Sequence, residues 1–127
     1  MKSVSRSASS LTVLVFALCL WQCVQYEVPP KPQPSPFSAS LEGNKTTFPA
    51  AGGTVNILVN AGANGWWIVV PDDSKKWLTI NKIYGAGDFT VPVTVRPNTT
   101  KSPRKVEVVV NSSYQLPPVK LEISQEG

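Results

Sequence analysis

The chain contains no histidine, and its only two cysteines, Cys19 and Cys23, both lie near the amino terminus. These absences remove most of the usual catalytic vocabulary: the imidazole base, the thiolate nucleophile and the nitrogen and sulfur ligands of transition metals. They also exclude a disulfide scaffold for everything after Cys23, so that part must be held by a buried core. Charge is sparse, at 16% of residues. Without Lys2 and Arg6, ten basic residues face eight acidic ones, too even a balance for a nucleic-acid or anionic-membrane surface. Long apolar runs are missing as well. The longest uninterrupted apolar stretch, free of charge, covers residues 11–21, LTVLVFALCLW. At about 1.5 Å per helical residue it reaches roughly half of a ~30 Å hydrocarbon core. Finally, no stretch beyond it offers ten residues of helical periodicity without Gly or Pro, which excludes a helical fold.

What is present begins with export. Lys2 and Arg6 lie among serines ahead of the apolar run, the order of a secretory signal over residues 1–23. The alternative is a short membrane anchor or a core helix. The segment ends in Leu20-Trp21-Gln22-Cys23, which resembles the box of a bacterial lipoprotein signal, with Gln22 where a small residue is usual. That resemblance implies lipidation at Cys23 and a membrane attachment through the lipid alone. It places the protein on a bacterial outer membrane or cell surface, with a periplasmic or secreted protein as the alternative.

Residues 24–40 read as a linker, since PPKPQPSP over residues 29–36 holds five of the twelve prolines. Proline fixes φ and removes an N–H donor, so the segment is extended and stiff, a spacer rather than part of a core. A proline-rich recognition ligand is the rival reading.

From residue 41 to 127 the pattern has period two. Val55, Ile57 and Val59 alternate with other residues, as do Val91, Val93 and Val95, then Val106, Val108 and Val110, then Val119, Leu121 and Ile123. Residues 66–70 and 77–80 are short and rich in aromatic and β-branched types. Turn residues fill every gap: Ala51-Gly52-Gly53, Pro71-Asp72-Asp73, Gly85-Ala86-Gly87-Asp88, Pro97-Asn98 and Pro117-Pro118. About seven short strands with one greasy face each predict an all-β, two-sheet sandwich. Pro92, on the polar side of its strand, predicts an edge or a bulge there.

Several of these pieces together resemble a known family. FPAAGGTVNILV (48–59), NGWWIVV (64–70), WLTI (77–80), GAGD (85–88), TVPVTVRPNTT (90–100), Arg104 with the strand 106–110, and LEISQ (121–125) resemble the BACON domain, the "Bacteroidetes-associated carbohydrate-binding often N-terminal" module. The resemblance runs through residues 41–125. It implies an immunoglobulin-like sandwich and a carbohydrate-binding role, for which glycans, mucin included, are the expected partners. Surface proteins are the alternative partners, for a structural or protein-interaction accessory lipoprotein without a sugar site. The expected state is a monomer with no nucleic-acid partner and no cofactor.

No enzyme is expected. Glycosidases need two carboxyl groups about 5–10 Å apart across a sugar, and neighbouring Asp72 and Asp73 read as turn residues. No spaced acidic loop supplies the six to eight oxygens of a calcium site, so no metal is expected either. A sugar site instead needs exposed aromatic rings. Alternation sends Trp66 and Trp67 to opposite faces. Because Trp67 shares its face with Val69, Trp67 is expected in the core together with Trp77, and Trp66 outside. Trp66, Tyr84 and Tyr114 are therefore the candidate carbohydrate-binding residues. The alternative leaves Trp66 covering a sheet edge and both tyrosines packed over loops.

Overall fold

A computed structural model describes residues 27–127. The signal segment, Cys19 and the expected lipidation site Cys23 lie outside the described residues. The chain divides into two units, Met1–Pro32 and Gln33–Gly127. Of the first, residues 27–32 are exposed and without regular structure. The second is a sandwich of nine strands in two sheets.

The strands are β1 (Ser38–Leu41), β2 (Thr47–Phe48), β3 (Gly53–Asn60), β4 (Gly65–Val69), β5 (Leu78–Ile80), β6 (Tyr84–Ala86), β7 (Phe89–Val95), β8 (Arg104–Ser112) and β9 (Val119–Gln125). One sheet has the order β1-β3-β7-β5 and the other β2-β9-β8-β4-β6. All pairings are antiparallel except that of β2 with β9. The alternating triplets supply the core: Val55, Ile57 and Val59 of β3 and Val91, Val93 and Val95 of β7 face Val106, Val108 and Val110 of β8 and Ile123 of β9. Phe48 and Trp77 close this layer, both buried. Nine strands replace the expected seven or so because β1, β2 and β6 have four, two and three residues, too few to register as periodicity.

Two sequence expectations change. The fold begins before residue 41, inside the stretch assigned to the linker. Leu41 is buried, while Phe37 and Ala39 pack against the core from the same side. Residues 38–41 therefore alternate like any other strand and pair with β3 from Ser38↔Asn60 to Leu41↔Ile57. Further back, Ser35 is held by the fully buried Asn64, whose Oδ1 accepts from the Ser35 amide at 3.0 Å and whose Nδ2 donates to the Ser35 carbonyl at 2.7 Å. The second change concerns Pro92. Its strand, β7, is internal, between β3 and β5. The Arg96 amide donates to the Trp77 carbonyl, so the backbone groups of residues 96, 94 and 92 all face the β5 side. β5 ends at Ile80, opposite Val93, one residue short of Pro92. The missing N–H thus coincides with the end of the neighbouring strand, and at this point β7 is locally an edge.

Candidate functional site

The outer face of the five-stranded sheet is set by how β4 is paired. Its register with β6 puts Trp66 opposite Gly85 and Trp67 opposite Tyr84. Its register with β8 puts Trp66 opposite Ser112 and Trp67 opposite Asn111. On β8 the valines Val106, Val108 and Val110 point inward, so Asn111 points outward and carries Trp67 with it. The result is a cross-strand row, Tyr84–Trp67–Asn111, on the solvent side. Directly opposed residues in such a row have Cβ atoms about 4.5–5.5 Å apart, so the indole and the phenol share one patch of surface. Trp67 is 44% exposed and Tyr84 72%.

This reverses the expectation for the tryptophan pair. Trp66 is in the core at 2% exposure, and Trp67 is the exposed one. Both faces of β4 are apolar, Trp66 and Ile68 on one and Trp67 and Val69 on the other, so alternation alone cannot rank them. The pairing decides. Gly85, lacking a side chain, leaves an opening opposite Trp66 that the indole fills, and the ring then meets Phe89 at a centroid distance of 6.1 Å. Its Nε1 donates to the Gly87 carbonyl at 2.9 Å, so the buried ring keeps its one polar atom satisfied. A sequence signal existed in the small residue at 85, opposite a bulky aromatic, but it becomes readable only once the register is known.

Beyond the row lies a second one. Val69, 47% exposed, stands opposite Val109, and Val109 stands opposite Lys120. Lys120 Nζ approaches Glu107 Oε1 at 3.7 Å, so an exposed ion pair borders the apolar patch. Tyr114 is 37% exposed but belongs to the turn after β8, where its amide donates to Ser112 Oγ at 3.3 Å. It is not part of the row. The structure thus brings Tyr84 together with Trp67 and Asn111, moves Trp66 into the core and leaves Tyr114 in a turn.

The other motif residues hold the fold. Gln125, 1% exposed, donates from Nε2 to the carbonyls of Pro49, Ala50 and Arg96 at 3.2, 3.3 and 2.8 Å. Its Oε1 accepts from Arg104 Nε at 2.9 Å, and the Arg104 guanidinium lies 4.6 Å from the Trp77 ring centroid. Asn98 accepts from the Thr100 amide at 3.1 Å, the self-capping turn expected from Asn98-Thr99-Thr100. Asp88 accepts from the amides of Ala61 and Gly62 at 2.8 and 2.9 Å. Those two amides, Gly62 first, hold its carboxyl below the usual aspartate range. Asp72 is likewise lowered, by the hydrogen bond and the charge of Lys75. Among the described residues no group of acidic side chains is placed to hold a metal ion.

The BACON family model, described as "Putative binding domain, N-terminal", matches residues 65–126. Those residues carry a BACON domain. The match begins at the first residue of β4 and contains the whole Tyr84–Trp67–Asn111 row, whereas β1, β2 and β3 of the sandwich precede it. No curated protein matches the chain. Among solved structures, it is similar to a Bacteroides ovatus GH5 xyloglucanase in complex with a XXXG heptasaccharide, at 25% identity and a TM-score of 0.58 over 70% of this chain. The chain spans only 19% of that protein's length. A C. elegans MSP family member, WR4, aligns with 70% of this chain and 96% of its own at 8% identity and a TM-score of 0.45.

Proposed function

We propose that this chain is an exported, non-catalytic binding module that takes up glycan on the outer face of β6, β4 and β8. The observation that carries the reading is the exposed Tyr84–Trp67 pair on a rigid sheet. Sugars present flat C–H faces, and an indole beside a phenol offers a surface on which one or two rings can stack. Asn111, at the end of the row, brings both a donor and an acceptor for hydroxyl groups. Covering the two rings yields a few kcal/mol at about 25 cal/mol per Å2 of apolar surface, which corresponds to a site in the millimolar range. An open face of this kind suits a stretch of chain rather than an enclosed monosaccharide. The partial likeness to a xyloglucanase supports a role alongside polysaccharides, and the missing imidazole and thiol support one without catalysis.

The same reading includes attachment through lipidated Cys23 on the outer membrane or cell surface, with the proline-rich segment as spacer. The mass of the mature amino terminus tests this: a diacyl or triacyl group on Cys23 supports it, and an unmodified terminus further along the chain rejects it. Binding itself is tested on an array of plant and mucin glycans, xyloglucan oligosaccharides included. Trp67→Ala removes the signal without unfolding the domain if the reading is right. A folded wild-type protein that binds no member at millimolar concentration ends it. A second reading, a protein-interaction module, is favoured by one feature, the apolar run of Val69 and Val109 beside the aromatic pair. It predicts that Val69→Ser weakens a protein contact while no glycan competes.

A further inference from the structure

Where the aromatic row ends, a groove of about 470 Å3 opens between the two sheets. Its walls come from Val69 and Ile83 on one side and Thr79 and Ile80 on the other, with Lys75 and Arg96 also lining it. No acidic residue lines the groove. Val69 lies two residues along β4 from Trp67, on the same face, whereas Ile83, opposite Ile68, faces the other way from Tyr84. The groove therefore meets the aromatic row at Val69.

It stays open for a reason written into the backbone. β5 stops at Ile80, opposite Val93 and one residue short of Pro92. On the other side, β6 accompanies β4 only as far as Ile68, whose amide donates to the Ile83 carbonyl at 2.7 Å. Val70, the next residue with backbone groups facing that way, lies past the point where pairing stops. Of the two cations, Lys75 is already matched, with Nζ 2.6 Å from Asp72 Oδ1. Arg96 is exposed, and among the described residues it takes part in no ion pair. Arg96 is thus the charge lining the groove that has no acidic partner among the described residues.

Resting on the glycan reading of the aromatic row, we infer that the groove is an acidic-sugar subsite: a chain stacked on Trp67 and Tyr84 places a carboxylate-bearing residue against Arg96. A guanidinium presents a planar fork of donors that matches a carboxylate in a bidentate way. Val69, where the groove meets the row, would cover an apolar face of the same chain. The ligand class that follows is a glycan bearing uronic or sialic acid, and its neutral counterpart loses the charged contact while keeping the stacking.

The test uses the full-length chain in titration calorimetry with two matched pairs: an oligogalacturonate against its methyl ester, and sialyllactose against lactose. Uronic and sialic acid are thereby separated as sources of the carboxylate. The acidic member of at least one pair binds about tenfold tighter, as expected of one exposed charge-assisted contact. That preference shrinks with added salt. Arg96→Gln lowers the affinity of the acidic member to that of its neutral partner, while Arg96→Lys keeps part of the gap. Thermal unfolding of both variants checks that the fold is intact. Equal binding of acidic and neutral members, or a preference that survives Arg96→Gln, overturns the subsite while leaving stacking on Trp67 in place. Absence of binding by all four probes overturns the subsite, and the stacking reading falls with it only if the glycan array is blank as well.

Discussion

Replacing Gly85 by alanine tests the packing that decides which tryptophan faces the solvent. Gly85 has no unusual φ, so its smallness, not its freedom, is what the fold uses. A Cβ at this position would stand 2.6 Å from Trp66 Cζ2, 3.0 Å from Cε2 and 3.3 Å from Cη2. The obstacle is a rigid ring held between the sheets, not the free end of a flexible chain. Forcing such an overlap costs about 1–3 kcal/mol. Tilting the ring away stretches the Nε1 bond to Gly87, worth about 1 kcal/mol more. The expected loss is about 2–4 kcal/mol, which for a domain of this size lowers Tm by roughly 10–20 °C. Urea unfolding of Gly85→Ala against wild type measures it. In a Trp66→Phe background the same alanine costs less, because the smaller ring leaves room, and the coupling is about 1 kcal/mol or more. A loss under about 0.5 kcal/mol, or an equal loss in both backgrounds, refutes the packing argument.

Two further predictions concern the ends of the sandwich. Gln125→Ala removes the 2.8 Å donor to the Arg96 carbonyl and the 2.9 Å acceptor of Arg104 Nε, leaving those groups only the 3.3 Å bonds of Arg104 Nη2, and destabilises by about 1–3 kcal/mol in chemical denaturation. Asp88, with its folded value held below the usual aspartate range, releases its proton more readily folded than unfolded. Its contribution to stability is therefore complete above about pH 4 and is lost as the pH falls through the folded value. Asp88→Asn flattens that acid limb in a series of unfolding curves between about pH 2 and pH 6, and an unchanged limb contradicts the assignment.

The long strands were legible in the sequence because each carries its own signal. Val106, Val108 and Val110 alternate with residues that face outward, and nothing elsewhere in the chain is needed to orient them. The turn at Asn98 was legible for the same reason, since its cap lies two residues away. β4 differs. With Trp66, Trp67, Ile68 and Val69 in succession, its two faces are equally apolar, and the choice between them is made by Gly85 and Asn111, 19 and 44 residues downstream. Likewise β1 hides in a proline-rich neighbourhood, because only its pairing with β3 marks Ser38–Leu41 as a strand. Tyr84 could be proposed from sequence as an aromatic beside a glycine turn, but its partnership with Trp67 is a fact of register. Local signals fix which residues form strands, and long-range pairing fixes which side chains meet.

The central claim is that ligands dock on the outer face of β6, β4 and β8. The most direct measurement is amide chemical-shift mapping of the isotope-labelled full-length chain during titration with a glycan that scores on the array. Shifts are expected at Trp67, Val69, Tyr84 and Asn111, together with the Trp67 indole N–H, while Asn56 and Leu58 of β3, in the other sheet, stay unmoved. Shifts gathered instead on the outer face of the β1-β3-β7-β5 sheet, with Trp67 and Tyr84 unmoved, would contradict the claim.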